Sequence, residues 1–310
     1  MTRVKSGAVL IAGPTAGGKS TLALALAERV GGVIVNADSM QVYRELRTLT
    51  ARPSAADEVK VPHRLYGTVS ARETYSVGRW TLDARAAIAE ASAAGRVPIV
   101  VGGTGLYLAA LTEGLADVPP IPAAIRGAVR ARLAAEGAPA LHAELLKRDP
   151  VIAARLRPSD PQRIARALEV LEATGRSLAT FQTATAAPGL DIAARVVVAP
   201  PRTGLYAAID ARFNAMLAEG ALEEVSAIAA LDLPADAPAR RALGVEPLLA
   251  HLDGRMSLEE AMAAAKLASR HYAKRQLTWV RNKMIAWNWL EEKFSERNLD
   301  TIFSLIADIS

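Results

Sequence analysis

The stretch Gly7-Ala8-Val9-Leu10-Ile11-Ala12-Gly13-Pro14-Thr15-Ala16-Gly17-Gly18-Lys19-Ser20 decides the fold. It opens as an apolar run of strand length, matches the P-loop pattern Gly-x-x-x-x-Gly-Lys-Ser/Thr, and runs on into an Ala/Leu-rich segment with helical spacing over 19–30. A strand, a glycine turn and a helix in that order aim backbone amides at an anion and add the partial positive charge of a helix amino end. Lys19 supplies a mobile cation, and the Ser20 hydroxyl is the group expected to face Mg²⁺. Gly13, Pro14, Thr15, Ala16, Gly17, Gly18, Lys19 and Ser20 are therefore expected to hold a phosphate. The pattern does not say which phosphate.

Working outward, a second apolar run over 33–35 closes on Asn36-Ala37-Asp38, and another over 98–101 closes on Gly102-Gly103-Thr104-Gly105, with helical spacing over 77–94 between them. Alternating strands and helices predict an α/β fold, a P-loop NTPase-like parallel sheet covered by helices, with ligand loops at the carboxyl ends of the strands. Asp38 falls at such an end. It could hold Mg²⁺ through water, accept a proton from a nucleophile bound opposite the phosphates, or simply cap the next turn. Thr104 is equally open, as a loop hydroxyl satisfying backbone or as a ligand-facing group.

After Gly114 the texture changes. A Pro-rich stretch, Val118-Pro119-Pro120-Ile121-Pro122, leads into helical segments at 123–136, 138–147 and 161–174 with no strand signal between them. A strand returns at 195–199, and long helices finish the chain. The expected organisation is a core begun by residues 1–115, an all-helical insertion domain over 116–184, and core completion with basic helices over 185–310.

Composition narrows the class. Across 310 residues, 51% apolar and 22% charged content excludes disorder, while 5% aromatic content calls for a core of aliphatic helical layers. With no Cys, disulfide scaffolds, thiol nucleophiles and Cys-based metal sites are excluded, and the four His residues form no metal-ligand spacing. No Ser/His/Asp triad is evident. The apolar start is too short for a signal-peptide core and no stretch approaches a membrane span, so a cytoplasmic protein without membrane contact, expected as a monomer, follows.

The net charge of +5 suits an anionic partner. Lys266, Arg270, Lys274, Arg275, Arg281 and Lys283 carry the only formal charges between Lys266 and Trp287, with Tyr272 and Trp279 interleaved. That face could contact a nucleic acid, or its aromatics could belong to the core. Arg212, on a helix with Ile209, Phe213 and Met216, reads as a solvated arginine. The residues so far also suit a small-molecule P-loop kinase or a nucleotide-gated RNA-binding switch, although Asn282-Lys283-Met284-Ile285 lacks the Asp of a guanine-reading loop.

Further motifs go beyond a generic P-loop: Asp38-Ser39-Met40-Gln41-Val42-Tyr43, Pro62-His63-Arg64-Leu65, Val101-Gly102-Gly103-Thr104-Gly105-Leu106-Tyr107, Asp160-Pro161-Gln162-Arg163-Ile164-Ala165-Arg166, Arg212-Phe213, and Tyr272-Ala273-Lys274-Arg275-Gln276-Leu277-Thr278-Trp279. With them the chain resembles, almost end to end, the bacterial tRNA dimethylallyltransferase family. The resemblance implies transfer of a dimethylallyl group from dimethylallyl diphosphate to N6 of adenine 37 in the anticodon stem-loop of tRNA, with Mg²⁺ as cofactor. It implies that Asp38 is the general base, that Arg212 helps the P-loop hold the diphosphate, and that Thr15 and Thr104 lie near the substrates. Ser39, Met40, Gln41, Arg126, Gln162, Arg163, Ile164, Ala165 and Arg166 match positions that contact the tRNA, and the basic run adds Arg270, Lys274 and Arg275. The chain departs from the family at Gly17, often Ser, and at Gly244-Val245-Glu246-Pro247, where Gly-Tyr and a basic residue are common. Without Cys it also lacks the zinc finger of eukaryotic relatives.

Overall fold

A computed structural model of the chain describes residues 6–182, 189–292 and 295–307. Two compact units emerge, one from Met1–Leu111 with Gly189–Ser310 and one from Thr112–Pro188. The expected end of the insertion at Ala184 lies outside the described residues.

In chain order the first unit begins β1 (Ala8–Ala12), α1 (Lys19–Val30), β2 (Val33–Asn36), α2 (Ala55–Lys60), β3 (His63–Arg64), α3 (Val77–Ala93), β4 (Pro98–Gly102) and α4 (Gly105–Glu113). The second unit holds α5 (Ala123–Arg148), α6 (Pro150–Ala153), α7 (Pro161–Thr174) and α8 (Leu178–Gln182). The first unit then resumes with β5 (Ile192–Val198), α9 (Arg202–Ala218), α10 (Ala221–Ala229), α11 (Val245–Leu252), α12 (Leu258–Lys283), β6 (Asn288–Leu290) and α13 (Glu296–Ile306).

The six strands form one sheet in the order β3-β2-β4-β1-β5-β6, and every neighbouring pair is parallel. β1 is central and buried along its whole length, which is why it reads as an unbroken apolar run rather than an alternating one. Its residues divide by the pleat: Val9 and Ile11 join Leu22 and Leu26 of α1 and Ile302 of α13, while Ala8, Leu10 and Ala12 join the layer that contains Trp80, Leu108, Phe213 and Leu248. From β1 the chain passes to β2 on one side, and after β4 it returns to β5 on the other. The loops after β1, β2 and β4 therefore converge on one edge, at the point where the strand order reverses.

Two strands carried no readable signal. β3 is two residues long and pairs only through Ile34↔His63 and Val35↔Arg64, and β6 contributes three residues to the opposite edge. Neither is long enough to show a period. β5 also starts earlier than the apolar cluster suggests, because Ala8 pairs with Ile192, and it stops at Val198 ahead of Pro200-Pro201.

Within the helical unit, α5 is interrupted at Gly137 (φ 80°, ψ 163°) beside Pro139, so it comprises the two segments that the spacing predicts. Its core joins Val129, Leu141 and Leu145 to Ile152, Ile164 and Leu168. Arg132 pairs with Glu136, Glu144 and Glu172 across α5 and α7.

Candidate active site

The P-loop folds as the strand–turn–helix order requires. Gly17 donates its backbone N–H to the Pro14 carbonyl at 3.1 Å, and a Cβ added at Gly17 would stand 2.9 Å from that oxygen. The departure from Ser is thus matched to the turn this loop makes. Ala16 sits in the left-handed region at φ 58°, an uncommon place for a residue with a side chain and one often found at functional sites. Lys19 folds back so that its Nζ donates to the Pro14 carbonyl at 3.3 Å. Ser20 is exposed in the first turn of α1.

Asp38 follows β2 and is braced by its own turn. Its backbone N–H donates to Oδ1 of the buried Asn36 at 2.8 Å, and its Oδ1 accepts the Met40 N–H at 3.0 Å. Asn36 in turn donates to the carbonyls of Asp38 and Leu65 at 2.9 and 3.1 Å and accepts the Trp80 indole N–H at 2.8 Å through its own carbonyl. The same carboxylate lines a cavity of about 190 Å³ together with Thr15, Ser39, Met40, Arg212 and Tyr272. The capping role and the cavity-facing role, alternatives in the sequence, are filled by one residue.

Thr104 packs behind this wall of the cavity, against Ser39. Its Oγ1 accepts the Ser39 N–H at 3.0 Å and lies 3.3 Å from Ser39 Oγ, while its backbone N–H donates to the Ala37 carbonyl at 3.2 Å. Arg212, which reads as solvated in the sequence, donates from its guanidinium to Thr15 Oγ1 and lines the cavity. That corrects the reading from helix spacing alone, not the place that the family motif implies, and its cause is packing. Ile209, Phe213 and Met216 bury their face of α9, and the same turn of helix carries Arg212 to the P-loop.

The charge of Asp38 is felt across this group. Burial lowers the Lys19 ammonium to about 8 against the opposing pull of Asp38, with Arg212 adding to the lowering. Burial also lowers Arg212, again opposed by Asp38. The phenols of Tyr66 and Tyr272 are pushed up by burial and then by the same carboxylate, and that of Tyr107 by burial, then Tyr43 and then Asp38, so each stays a neutral hydroxyl at ordinary pH. The cavity itself sets Arg212, Arg241 and Arg275 against the one carboxylate of Asp38, with apolar walls from Leu49, Phe213, Met216 and Leu243. Such a site suits an anionic leaving group attached to a small apolar one.

Several residues here carry no role that the sequence assigns. Gln276 of α12 accepts the Thr15 N–H at 2.8 Å and donates to the Gly103 carbonyl at 2.9 Å, tying the first glycine loop to the second. Leu49 and Thr50 reach the cavity from a turn, and Arg241 from a short 3-10 helix, none of them with a recognisable pattern.

The expected RNA contacts are differently placed. Gln41 spends its amide N–H groups on the carbonyls of Thr50 and Ala51 at 2.8 and 2.9 Å. Arg270 forms a two-oxygen ion pair with Asp210 at 2.7 and 2.9 Å, and Lys274 and Arg275 are exposed on α12. In the helical unit Arg126, Gln162, Arg163 and Arg166 are exposed, but Ile164 and Ala165 are buried in its core and offer no side chain to a partner. At the divergent turn, Val245 is buried and Glu246 pairs with Arg240 at 2.8 Å.

Among the described residues no group of three or more His, Asp or Glu side chains could hold a metal ion by itself. A cation at the P-loop would therefore take Ser20 and oxygens of its phosphate ligand, the sparse donor set that Mg²⁺ accepts. No helix of the described residues is long and apolar enough to cross a membrane.

A family model described as IPP transferase matches residues 41–283. The tRNA dimethylallyltransferase of Nitrobacter hamburgensis is 55% identical over 297 residues, 95% of this chain and 94% of that protein. That of Rhodospirillum centenum is 59% identical over 281 residues, 90% of this chain and 89% of that protein. The crystal structure of the tRNA isopentenylpyrophosphate transferase from Bacillus halodurans superposes with a TM-score of 0.70 at 34% identity, covering 97% of this chain and 95% of that one. A eukaryotic dimethylallyltransferase acting on tRNA gives a TM-score of 0.81 at 26% identity, with 96% of this chain and 76% of that one covered. Fold, glycine loops and sequence agree that the chain belongs to the IPP transferase family, alongside the bacterial tRNA dimethylallyltransferases.

Proposed function

We propose that the protein transfers a dimethylallyl group from dimethylallyl diphosphate to N6 of adenine 37 in tRNA, releasing diphosphate. The observation that carries this reading is the meeting of Asp38, Arg212 and Thr15 in one cavity beside the P-loop. Adenine N6 is a weak nucleophile, so the step depends on the leaving group. As the bond between the allylic carbon and diphosphate oxygen breaks, negative charge grows on the diphosphate. The P-loop amides, Lys19 and Arg212 stabilise it where water is scarce. The N6–carbon bond forms on the opposite side, and the surplus N6 proton passes to the Asp38 carboxylate. Bound Mg²⁺, held by Ser20 and the diphosphate, would neutralise part of the same charge.

The adenine must leave its stack to reach Asp38, at a cost of about a few kcal/mol. Exposed Arg126, Gln162, Arg163 and Arg166 of the helical unit, and Lys274 and Arg275 of α12, are the side chains suited to offset it through RNA contacts. The test supplies unmodified tRNA and Mg²⁺ with either dimethylallyl diphosphate or ATP. An isopentenyl mass gain on adenosine supports the reading. Release of ADP with unchanged RNA would favour a kinase.

A further inference from the structure

We propose that Glu224, which lies outside the cavity, is a positioning residue that limits the length of the prenyl chain by fixing Leu49 as the end wall; this rests on reading the cavity as an isoprenoid diphosphate site. Residues 47–51 form an irregular turn with no sheet or helix to hold it. Instead, the Glu224 carboxylate on α10 accepts the backbone N–H groups of Arg47, Thr48 and Leu49, the last two at 2.8 Å each. From the other side Gln41 donates to the carbonyls of Thr50 and Ala51. One ionised acceptor shared by three consecutive amides is a strong local constraint, since bonds to a charged partner are about twice as strong as neutral ones.

What the turn holds in place is Leu49, buried and lining the cavity. Leu49 and Phe213 both rest on the bare backbone of Gly244, where an added Cβ would meet them at 3.1 and 3.0 Å. The wall is therefore closely packed and cannot retreat without moving the turn. A cavity of about 190 Å³ is smaller than the roughly 300–1,000 Å³ of pockets for larger ligands. It suits a five-carbon chain, and a ten-carbon chain would have to displace Leu49.

The test compares the full-length wild type with Glu224→Gln and Leu49→Ala, using dimethylallyl and geranyl diphosphate as donors and unmodified tRNA as acceptor. Gln sets an NH₂ group against amides that need an acceptor. Glu224→Gln should raise the KM for dimethylallyl diphosphate by about tenfold, the equivalent of one charge-assisted bond. The KM for tRNA should stay within about twofold, separating a local effect on the donor from general damage. Leu49→Ala keeps the turn's bonds and should by itself admit geranyl transfer, so its refusal would remove the wall on which the role of Glu224 depends even where Glu224→Gln folds poorly. An unchanged donor KM in folded Glu224→Gln, or continued refusal of geranyl diphosphate by Leu49→Ala, overturns the proposal. A wild type that transfers nothing to tRNA overturns the reading of the site instead.

Discussion

The side chain of Gln276 accepts the backbone N–H of Thr15 at 2.8 Å and so binds the amino-terminal P-loop to a helix 261 positions later in the chain. Its other end holds the Gly103 carbonyl, so one amide sets the spacing of both glycine loops. Replacing it with Ala leaves a donor and an acceptor without partners in a mostly buried place, which costs about 1–3 kcal/mol for each group left unsatisfied. Gln276→Ala should lower the urea midpoint and reduce kcat/KM for the donor more than for tRNA. Equal losses for both substrates would indicate that the link serves only general stability.

Asp38 has a turn to hold as well as a proton to take, and the two can be separated. Asp38→Asn keeps an acceptor for the Met40 N–H and removes the base. Turnover should fall by at least about a hundredfold, the usual scale for a general base, with tRNA affinity retained. Near-normal turnover would refute the role.

Lys19 gives a pH test with a defined sign. Its folded value of about 8 lies below the 10.5 of an unperturbed lysine, so the unfolded chain binds more protons between those two values. The penalty for burying its charge is fully present below pH 8 and is relieved as pH rises toward 10.5. Unliganded Lys19→Met should therefore be more stable than wild type at neutral pH, with the gap closing in alkali. Donor affinity should run the other way, weakening in the wild type above about pH 8 as the ammonium is lost. Melting curves and donor titrations across that range check both.

The basic helix divides into two kinds of cation. Arg270 is neutralised by Asp210, whereas Lys274 is exposed. Lys274→Ala should reduce the salt dependence of tRNA binding by about one unit of slope, and Arg270→Ala by less. Equal changes would place both side chains on the RNA.

These contrasts show what the sequence can disclose. The P-loop and the central strands are legible because an unbroken apolar run and a fixed glycine spacing are local properties. Asp38 and Thr104 can be placed at strand ends from the sequence, but that position leaves a cap and a ligand-facing group equally open. Arg212 cannot be placed by helix spacing, because only the docking of α9 turns a helix arginine into a pocket residue, and in the chain it looks like any other. Arg270 errs in the opposite direction, since its neutralising partner lies 60 positions away. Ile164 and Ala165 sit within a motif that runs along a helix, and they fall on its inward face while Gln162, Arg163 and Arg166 fall outside, a distinction that the motif as a whole conceals.

The bond between Gln276 and the P-loop also has a meaning for synthesis. A chain emerging from the ribosome displays its glycine-rich loop 261 positions before the residue that braces it. Nascent or prematurely terminated chains that stop short of it carry the motif without a finished cradle, so appearance of activity should track completion of α12 rather than exposure of the signature sequence.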